Sequence, residues 1–399
     1  MSKQVQDAYI VAATRTPVGK APRGTFKDVR PDDLLVHVLR SVLARVPSLD
    51  PKLIEDAIVG SAMPEAEQGM NVARIGVLLA GLPNTVGGVT VNRFCASGTT
   101  ALAMAADRIR VGEADVMIAA GTESMSMVPM GGNNPSLNPS VFARDENVGI
   151  AFGMGITAEK VAERWKVSRE DQDAFALASH QKAIRAKESG AFADELVPFE
   201  FEVRTPDLRT GQVVVRQRSL TSDEGPRADT SLEALAKLKP AFAAKGSVTA
   251  GNSSQMSDGA GALLLVSESI LKRFSLAPLA RFVSFAIKGV PPEIMGIGPK
   301  EAIPVALAKA GLKLDDLGWI ELNEAFAAQA LAVIRDVGLD PARVNPLGGA
   351  IALGHPLGAT GAIRAATLVH GLRRTNQRYG MVTMCVGTGM GAAAILERA

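Results

Sequence analysis

Short apolar runs alternate with longer Ala-rich stretches along most of the chain. The runs Ala8 to Ala12, Ala57 to Val59, Val116 to Ala120, Gly261 to Val266, Ala280 to Phe285, Trp319 to Leu322 and Met381 to Met384 predict buried strands. With helical segments between them, the pattern predicts an α/β architecture. Aromatic residues are only 4% of the chain and glycines number 39, so elements can pack closely, including helices buried between two sheets.

The order of elements repeats. Residues 34–60 read as helix, turn and DPKLIEDAIVG, and residues 302–325 read as helix, turn and LDDLGWIELNEA. VNRFCASG then opens an Ala-rich helix leading into DVMIAA, and VNPLGGAIALGHPLGATG opens a helix leading into YGMVTMCVGTG. Two halves of like order imply a duplicated core with pseudo-twofold symmetry. Between them lie a Met-, Gly-, Asn- and Pro-rich stretch at 125–139, a charged helical segment at 157–189 and a polar section of little periodicity at 200–230. This reads as a long insertion over the active face, where specificity usually resides. The expected organisation is therefore 1–121, 122–250 and 251–399.

Composition narrows the function classes. Hydrophobic residues make up 47% and charged residues 21%, as in ordinary folded proteins. A net charge of +2 offers no global attraction for nucleic acid or an anionic membrane, although a few local cations could still meet a polyanionic small molecule. No stretch approaches the ~18 uninterrupted apolar residues of a membrane span. Two cysteines cannot make a secreted disulfide framework. With no targeting signal recognisable at either end, a reducing, cytoplasmic setting is expected, where free thiols persist. Two cysteines and four histidines without ligand spacing give no expectation of a metal.

Four segments carry candidate chemistry. Cys95 lies in VNRFCASG immediately before a helix, where backbone N–H groups and the helix dipole favour a thiolate. Its local context suits equally a nucleophile and an inert core thiol. His355 lies in GHPLGATG, with Pro356 suited to a first helical position; it is either a base for a neighbouring thiol or a helix cap. Cys385 ends an apolar strand and is followed by Val386-Gly387-Thr388-Gly389, a turn whose N–H groups could face a developing oxyanion. Asn323, in ELNEAFAAQ, sits at a strand-to-helix junction and either holds a water or carbonyl oxygen or caps the helix.

Together, VNRFCASG, GNSSQMSDGAGA, NEAFAAQA, GGAIALGHPLGATGA and CVGTGMGAA resemble the thiolase family in order and spacing, and the resemblance extends over essentially the whole chain. It implies a five-layer αβαβα fold built from two similar halves, with the insertion as a loop domain. It also implies that Cys95 attacks a 3-ketoacyl-CoA after His355 takes its proton, and that Cys385 protonates the departing acetyl-CoA enolate and then activates the incoming CoA. His355 with a water on Asn323, and the N–H groups of Cys95 and Gly387, become the two oxyanion sites. For CoA the resemblance points to Met154, Arg227, Phe242, Ala250, Ser254, Ala325 and Phe326. No tightly bound cofactor is implied, CoA being a co-substrate. The implied assembly is a homodimer or homotetramer, with membership of a fatty-acid oxidation complex open.

Short-chain members often carry a His just before the residue matching Met154, where this chain reads Phe152-Gly153-Met154. That departure and GNSSQ favour the degradative 3-ketoacyl-CoA branch over the acetoacetyl-CoA branch. Three rivals remain: a one-way ketosynthase, which does not need Cys385; a silent acyl-CoA- or lipid-binding relative, which should have lost Cys95, His355 or Asn323; and a dinucleotide-dependent oxidoreductase. The last lacks a G-x-G-x-x-G after the first strand.

Overall fold

A computed structural model describes residues 5–399. The first part of the chain forms β1 (Ala8–Arg15), β2 (Gly19–Lys20), α1 (Pro31–Ala44), β3 (Asp56–Gly60), α2 (Val72–Leu79), β4 (Val89–Val91), α3 (Ser97–Arg110) and β5 (Val116–Ser124). The inserted region holds α4 (Asp145–Val148), α5 (Met154–Arg164), α6 (Arg169–Glu188), the hairpin β6 (Phe199–Asp207) and β7 (Gln212–Leu220), and α7 (Leu232–Ala236). Then follow β8 (Ser257–Ser267), α8 (Glu268–Phe274), β9 (Ala280–Gly289), α9 (Gly298–Ala310) and β10 (Leu317–Leu322). The chain ends with α10 (Ala327–Val337), α11 (Ala350–Leu353), α12 (Leu357–Thr375), β11 (Tyr379–Val386) and β12 (Met390–Arg398). Each of the seven expected strands lies within an observed one.

The strands run in the order β10-β11-β12-β9-β1-β8-β5-β3-β4. Only Tyr9↔Arg281 and Ile10↔Ala280 join β1 to β9, and β1 is irregular between Ile10 and Ala12, so the sheet is two half-sheets hinged at that point. Alternate side chains of the first half-sheet pack on α1 and α2 through Leu34, Leu35, Leu39, Val59, Val116 and Leu264. The opposite faces of both half-sheets meet α3 and α12 in one continuous core. Beyond the second half-sheet, α9 and α10 cover Ile320, Leu322, Met381 and Ile395. Five layers result, with α3 and α12 in the middle.

Small residues make that middle layer possible. A Cβ on Gly98 of α3 would come 2.6 Å from the Ala362 nitrogen and 3.0 Å from the Gly358 oxygen of α12. The helices therefore touch backbone to backbone.

Three local expectations change. The polar section at 200–230 contains a hairpin: its first strand alternates as Phe199-Glu200-Phe201-Glu202 and seats both phenylalanines against Phe26, while most side chains of its second strand are exposed and carry no alternation. The second half was expected to begin at 251, but β8 pairs with both β1 and β5 and belongs to the first half-sheet. Pro356 is the residue before α12 and not its first helical position. Among the described residues no helix is long and apolar enough to cross a membrane.

Candidate active site

Cys95 sits at the centre of a 3₁₀ turn, Phe94–Ala96, that joins β4 to α3. The turn is sharp. Phe94 has φ of 44°, its N–H donates to Asn92 Oδ1 at 2.8 Å, and the Arg93 N–H donates to Ser97 Oγ at 2.8 Å. The flanking Asn and Ser thus stabilise a backbone that ordinary residues avoid. It aims the sulfur at the backbone N–H groups of Gly387 and of Cys95 itself. Cys95 is nonetheless buried, and burial outweighs those N–H groups and pushes the thiol up to about 12, with Glu123 adding to the rise. Enclosure thus opposes the thiolate that the turn and the helix start favour.

His355 is held in the loop between α11 and α12. Its N–H donates to Gln255 O and Ser257 Oγ, each at 3.1 Å. Thr360 Oγ1 donates to Pro356 O at 3.0 Å and lies 2.6 Å from His355 Nδ1. With its proton directed to Pro356, the Thr360 hydroxyl accepts from Nδ1–H, which leaves Nε2 unprotonated and accepting from the Asn323 amide N–H₂ at 3.3 Å. Burial first, then the nearby Arg364 charge, lower the imidazole to about 3. The ring is a neutral base at rest.

Asn323 follows β10 and extends its pairing, its N–H donating to Thr383 O at 2.9 Å. It does not cap the next helix, because α10 starts four residues later with Phe326 at the cap. Instead Nδ2 lies 3.3 Å from His355 Nε2, and Oδ1 is buried without a partner. A buried acceptor with no donor is costly unless it serves a ligand or water.

Cys385 lies two residues beyond Thr383 on β11 and is fully buried. Burial and the neighbouring Cys95 raise it well above an ordinary thiol. The turn that follows is tight, with Thr388 at φ 64° and Gly389 at φ 92°. The Gly387 α-carbon opens toward Phe94 and Met154: a Cβ there would lie 3.6 Å from the Phe94 ring and 3.8 Å from Met154 Sδ. A continuous chain of contacts thus runs His355–Asn323–β11–Gly387–Cys95.

Of the CoA candidates, Met154, Ala325 and Phe326 pack in one cluster with Cys385. Phe242, 40% exposed, meets Phe326 edge-on with ring centroids 6.0 Å apart. The Ser254 N–H donates to Ala325 O at 2.9 Å, and Ala250 is exposed nearby in sequence. Phe242, Phe326, Ala325 and Met154 thus run as apolar contacts from the surface to Cys385. Arg227 lies beside α6: its N–H donates to His180 Nδ1 and its guanidinium pairs with Asp229 at 3.2 Å. Neither neighbouring acid pairs with it, since Asp223 binds Arg15 and Glu224 binds Thr25.

Two residues that sequence reasoning did not single out complete the setting. Thr360 sits inside the GHPLGATG motif, five positions after His355, and fixes the tautomer. Glu123 is wholly buried and accepts from the N–H groups of Ala62 at 2.7 Å, Met63 at 3.3 Å and Gly358 at 2.8 Å. It ties the start of α12 to the loop after β3, and nothing in AAGTESMS marks it as different from a surface acid.

A layered α/β core with a turn-held thiol, a second thiol on the adjoining strand and a tautomer-fixed imidazole defines an acyl-transfer enzyme. The profile of the thiolase N-terminal domain matches residues 8–269 and that of the C-terminal domain residues 276–398. The chain is 50% identical over 393 residues to a 3-ketoacyl-CoA thiolase of Bacillus subtilis (strain 168), covering 98% of this chain and 100% of that protein. It is 48% identical over 392 residues to the peroxisomal 3-ketoacyl-CoA thiolase of Homo sapiens, covering 98% and 91%. Among solved structures, human mitochondrial 3-ketoacyl-CoA thiolase superposes with a TM-score of 0.88 at 38% identity, over 99% of this chain and 100% of that one. Bacillus anthracis acetyl-CoA acetyltransferase does so with 0.87 at 39%, over the whole of both chains. The chain belongs to the thiolase family.

Proposed function

We propose that the chain catalyses reversible, CoA-dependent thiolytic cleavage of 3-ketoacyl-CoA, giving acetyl-CoA and a shortened acyl-CoA through an acyl-Cys95 intermediate. The observation that carries this reading is the pair of buried thiols, one facing backbone N–H groups and the other on the adjoining strand. A single-thiol condensing enzyme has no use for the second.

His355 Nε2 takes the Cys95 proton as the sulfur attacks the 3-keto carbon. The C2–C3 bond breaks, and its electron pair goes to the acetyl-CoA enolate, which Cys385 protonates. The Cys385 thiolate then takes the proton of an incoming CoA thiol, whose sulfur attacks the acyl group and releases Cys95. Two neutral groups near 12 and 3 do not exchange a proton at rest, so the attack is coupled to stabilisation of the new oxyanion. The Cys95 and Gly387 N–H groups serve the tetrahedral oxyanion. His355, once protonated at Nε2, and a water on Asn323 Oδ1 serve the enolate. Each such donor contributes roughly 100–1000-fold in rate.

Met154, Phe242, Ala250, Ser254, Ala325 and Phe326 line the approach of the pantetheine arm, and Arg227 meets the nucleotide end after exchanging Asp229. The substrates are 3-ketoacyl-CoAs of broad or longer chain length, supported by the Phe152-Gly153-Met154 run and by the names of the roughly half-identical relatives. The setting is cytoplasmic fatty-acid β-oxidation, and CoA comes and goes as a co-substrate. A homo-oligomer is supported by the edge strand β4, beside which Met70, Leu78, Leu79, Val89 and Met104 are exposed.

Thiolysis of acetoacetyl-CoA and of a longer 3-ketoacyl-CoA by the wild type, Cys95→Ser and Cys385→Ala tests the reading. Both variants should lose thiolysis. Retained activity in both sinks the mechanism, and activity on the four-carbon substrate alone sinks the chain-length assignment.

A further inference from the structure

The last residue of GNSSQ touches two segments that are distant in sequence. Gln255 is half-buried, and its side-chain amide donates to Ile351 O at 3.0 Å, Gly225 O at 3.1 Å and Ala352 O at 3.4 Å. Three acceptors converge on one amide atom, so that atom is the N–H₂ group. The Gln255 backbone oxygen accepts from the His355 N–H at 3.1 Å and from Ser257 Oγ at 2.7 Å.

One side of this junction leads to the base. α11 is a single helical turn, and its last carbonyls, those of Ile351 and Ala352 among them, have no partner within it. A turn this short does not hold itself. Glu324 Oε2 fixes its start by accepting from the Ile351 N–H at 3.2 Å, and the Gln255 amide fixes its end. Gly354, at φ 91°, then turns the chain directly into His355. Side chain and main chain of Gln255 thus bracket residues 351–355.

The other side leads to Arg227. Gly225 is buried and so close to α11 that a Cβ would come 2.1 Å from Ala352 O. Carbonyls drawn together in this way are costly unless a donor lies between them, and the Gln255 amide is that donor. The flanking residues are held as well. Asp223 pairs with Arg15 at 2.8 Å, Glu224 Oε2 accepts from the Lys20 N–H at 2.9 Å, and the Arg227 N–H donates to His180 Nδ1 at 3.2 Å. From this fixed backbone the Arg227 side chain, 58% exposed, reaches into solvent.

We infer that Gln255 is a positioning residue that joins the segment carrying Arg227 to the loop carrying His355, so that one amide governs both the grip on the CoA nucleotide and the alignment of the base. The inference rests on the thiolase reading, with Arg227 at the nucleotide and His355 as base. Binding energy from the nucleotide, remote from the bond that breaks, is thereby delivered to the chemical step.

The test is steady-state thiolysis by the full chain with two matched pairs: a 3-ketoacyl-CoA with CoA, and the same 3-ketoacyl-pantetheine with pantetheine. Gln255→Met keeps the length of the side chain and removes the donor. Gly225→Ala strikes the same junction from its other side, because the new methyl group meets Ala352 O. Each variant should lower kcat on the pantetheine pair about tenfold, the scale of a buried carbonyl left unpaired. Each should also lower the preference for CoA over pantetheine in kcat/KM about tenfold. The double variant should fall no more than about twofold below the poorer single one, since both changes break one contact. Loss of folded protein lowers both pairs equally and leaves the preference unmoved.

A wild-type preference in folded Gln255→Met overturns the inference, and so does a wild-type kcat on the pantetheine pair; either result means that the amide serves one segment alone. Fully additive losses in the double variant overturn it too, as does a wild type that does not prefer CoA. If Gln255→Met does not fold, Gly225→Ala is read against the same two criteria. Wild-type inactivity on both pairs instead overturns the proposed function, and calorimetric titration with CoA and pantetheine then shows whether the junction governs nucleotide affinity.

Discussion

Asn323 Nδ2 lies 3.3 Å from His355 Nε2 while Asn323 Oδ1, on the same amide, is buried with no partner. The amide is thus oriented by one contact and left open at the other. An acceptor in that condition is suited to a water that donates to it and turns its second proton to substrate. Asn323→Ala should lower kcat roughly 100–1000-fold, as expected for loss of one oxyanion donor. KM should change little, and thermal unfolding should show no loss of stability, because an unsatisfied buried group is removed. A large fall in the unfolding midpoint would assign Asn323 to structure.

The Nδ1 side of the same ring gives a second outcome. Thr360 keeps Nδ1 protonated by accepting from it at 2.6 Å while donating to Pro356. Thr360→Val keeps the volume and removes the acceptor, which frees the ring to place its proton on Nε2, where it cannot act as a base. Thiolysis should fall on the order of 100-fold, the lower range of a general base's contribution. Thr360→Ser should retain most activity. Equal losses in both variants would mean that the methyl group, packed in the core, is what matters.

Much of the fold is legible in the chain because a covered strand needs an apolar run, and Val116 to Ala120 or Gly261 to Val266 has few alternatives. The pairing of β8 is not, because a strand at 257–267 joins its sheet by long-range register that no local pattern encodes. The β6–β7 hairpin is only half legible: Phe199-Glu200-Phe201-Glu202 alternates as a strand with one packed face does, whereas most of β7 stands in water and offers no periodicity. At the site, Asn323 is ambiguous in sequence since cap and ligand-holder share one residue type, and only its distance from the α10 cap separates them. The environment of Cys95 is half legible, because a turn and a helix start are visible in VNRFCASG whereas enclosure on all sides is not. Glu123 carries no local signal at all. Its significance lies in three N–H groups from two distant segments.

Those N–H groups make Glu123 a stability determinant. Ala62, Met63 and Gly358 all donate to its carboxylate, joined by the Gln68 side chain. Glu123→Gln retains the shape but turns one amide N–H₂ toward these donors. Leaving buried N–H groups unpaired costs about 1–3 kcal/mol each, so denaturant unfolding should show a loss of at least that order. Because Gly358 lies three residues past His355, kcat should fall with it. Unchanged stability would mean the carboxyl is already protonated and donating.

The raised carboxyls also set the pH dependence of stability. Glu321 stands near 7 and Asp258 near 6 in the folded chain, both pushed up by burial. Such a group adds stability in full below its unfolded pKa, and that stability is lost as the pH rises through the folded value. His355 does the reverse: lowered to about 3, it adds stability above its unfolded value that is lost as the pH falls through the folded one. Between about pH 4.5 and 6.5 the two slopes oppose each other, so the wild type should show only a shallow dependence there, with Glu321 alone still falling up to about 7. Glu321→Gln removes one falling contribution and leaves the His355 slope in place. Its unfolding free energy should therefore gain on that of the wild type as the pH is raised through this window, whatever the constant offset from the uncompensated Arg364, which pairs with Glu321 at 3.7 Å. Urea unfolding of both proteins at pH 5, 6, 7 and 8 measures the difference directly. A variant that instead loses ground as the pH rises would show that the Arg364 ion pair outweighs burial and holds Glu321 low.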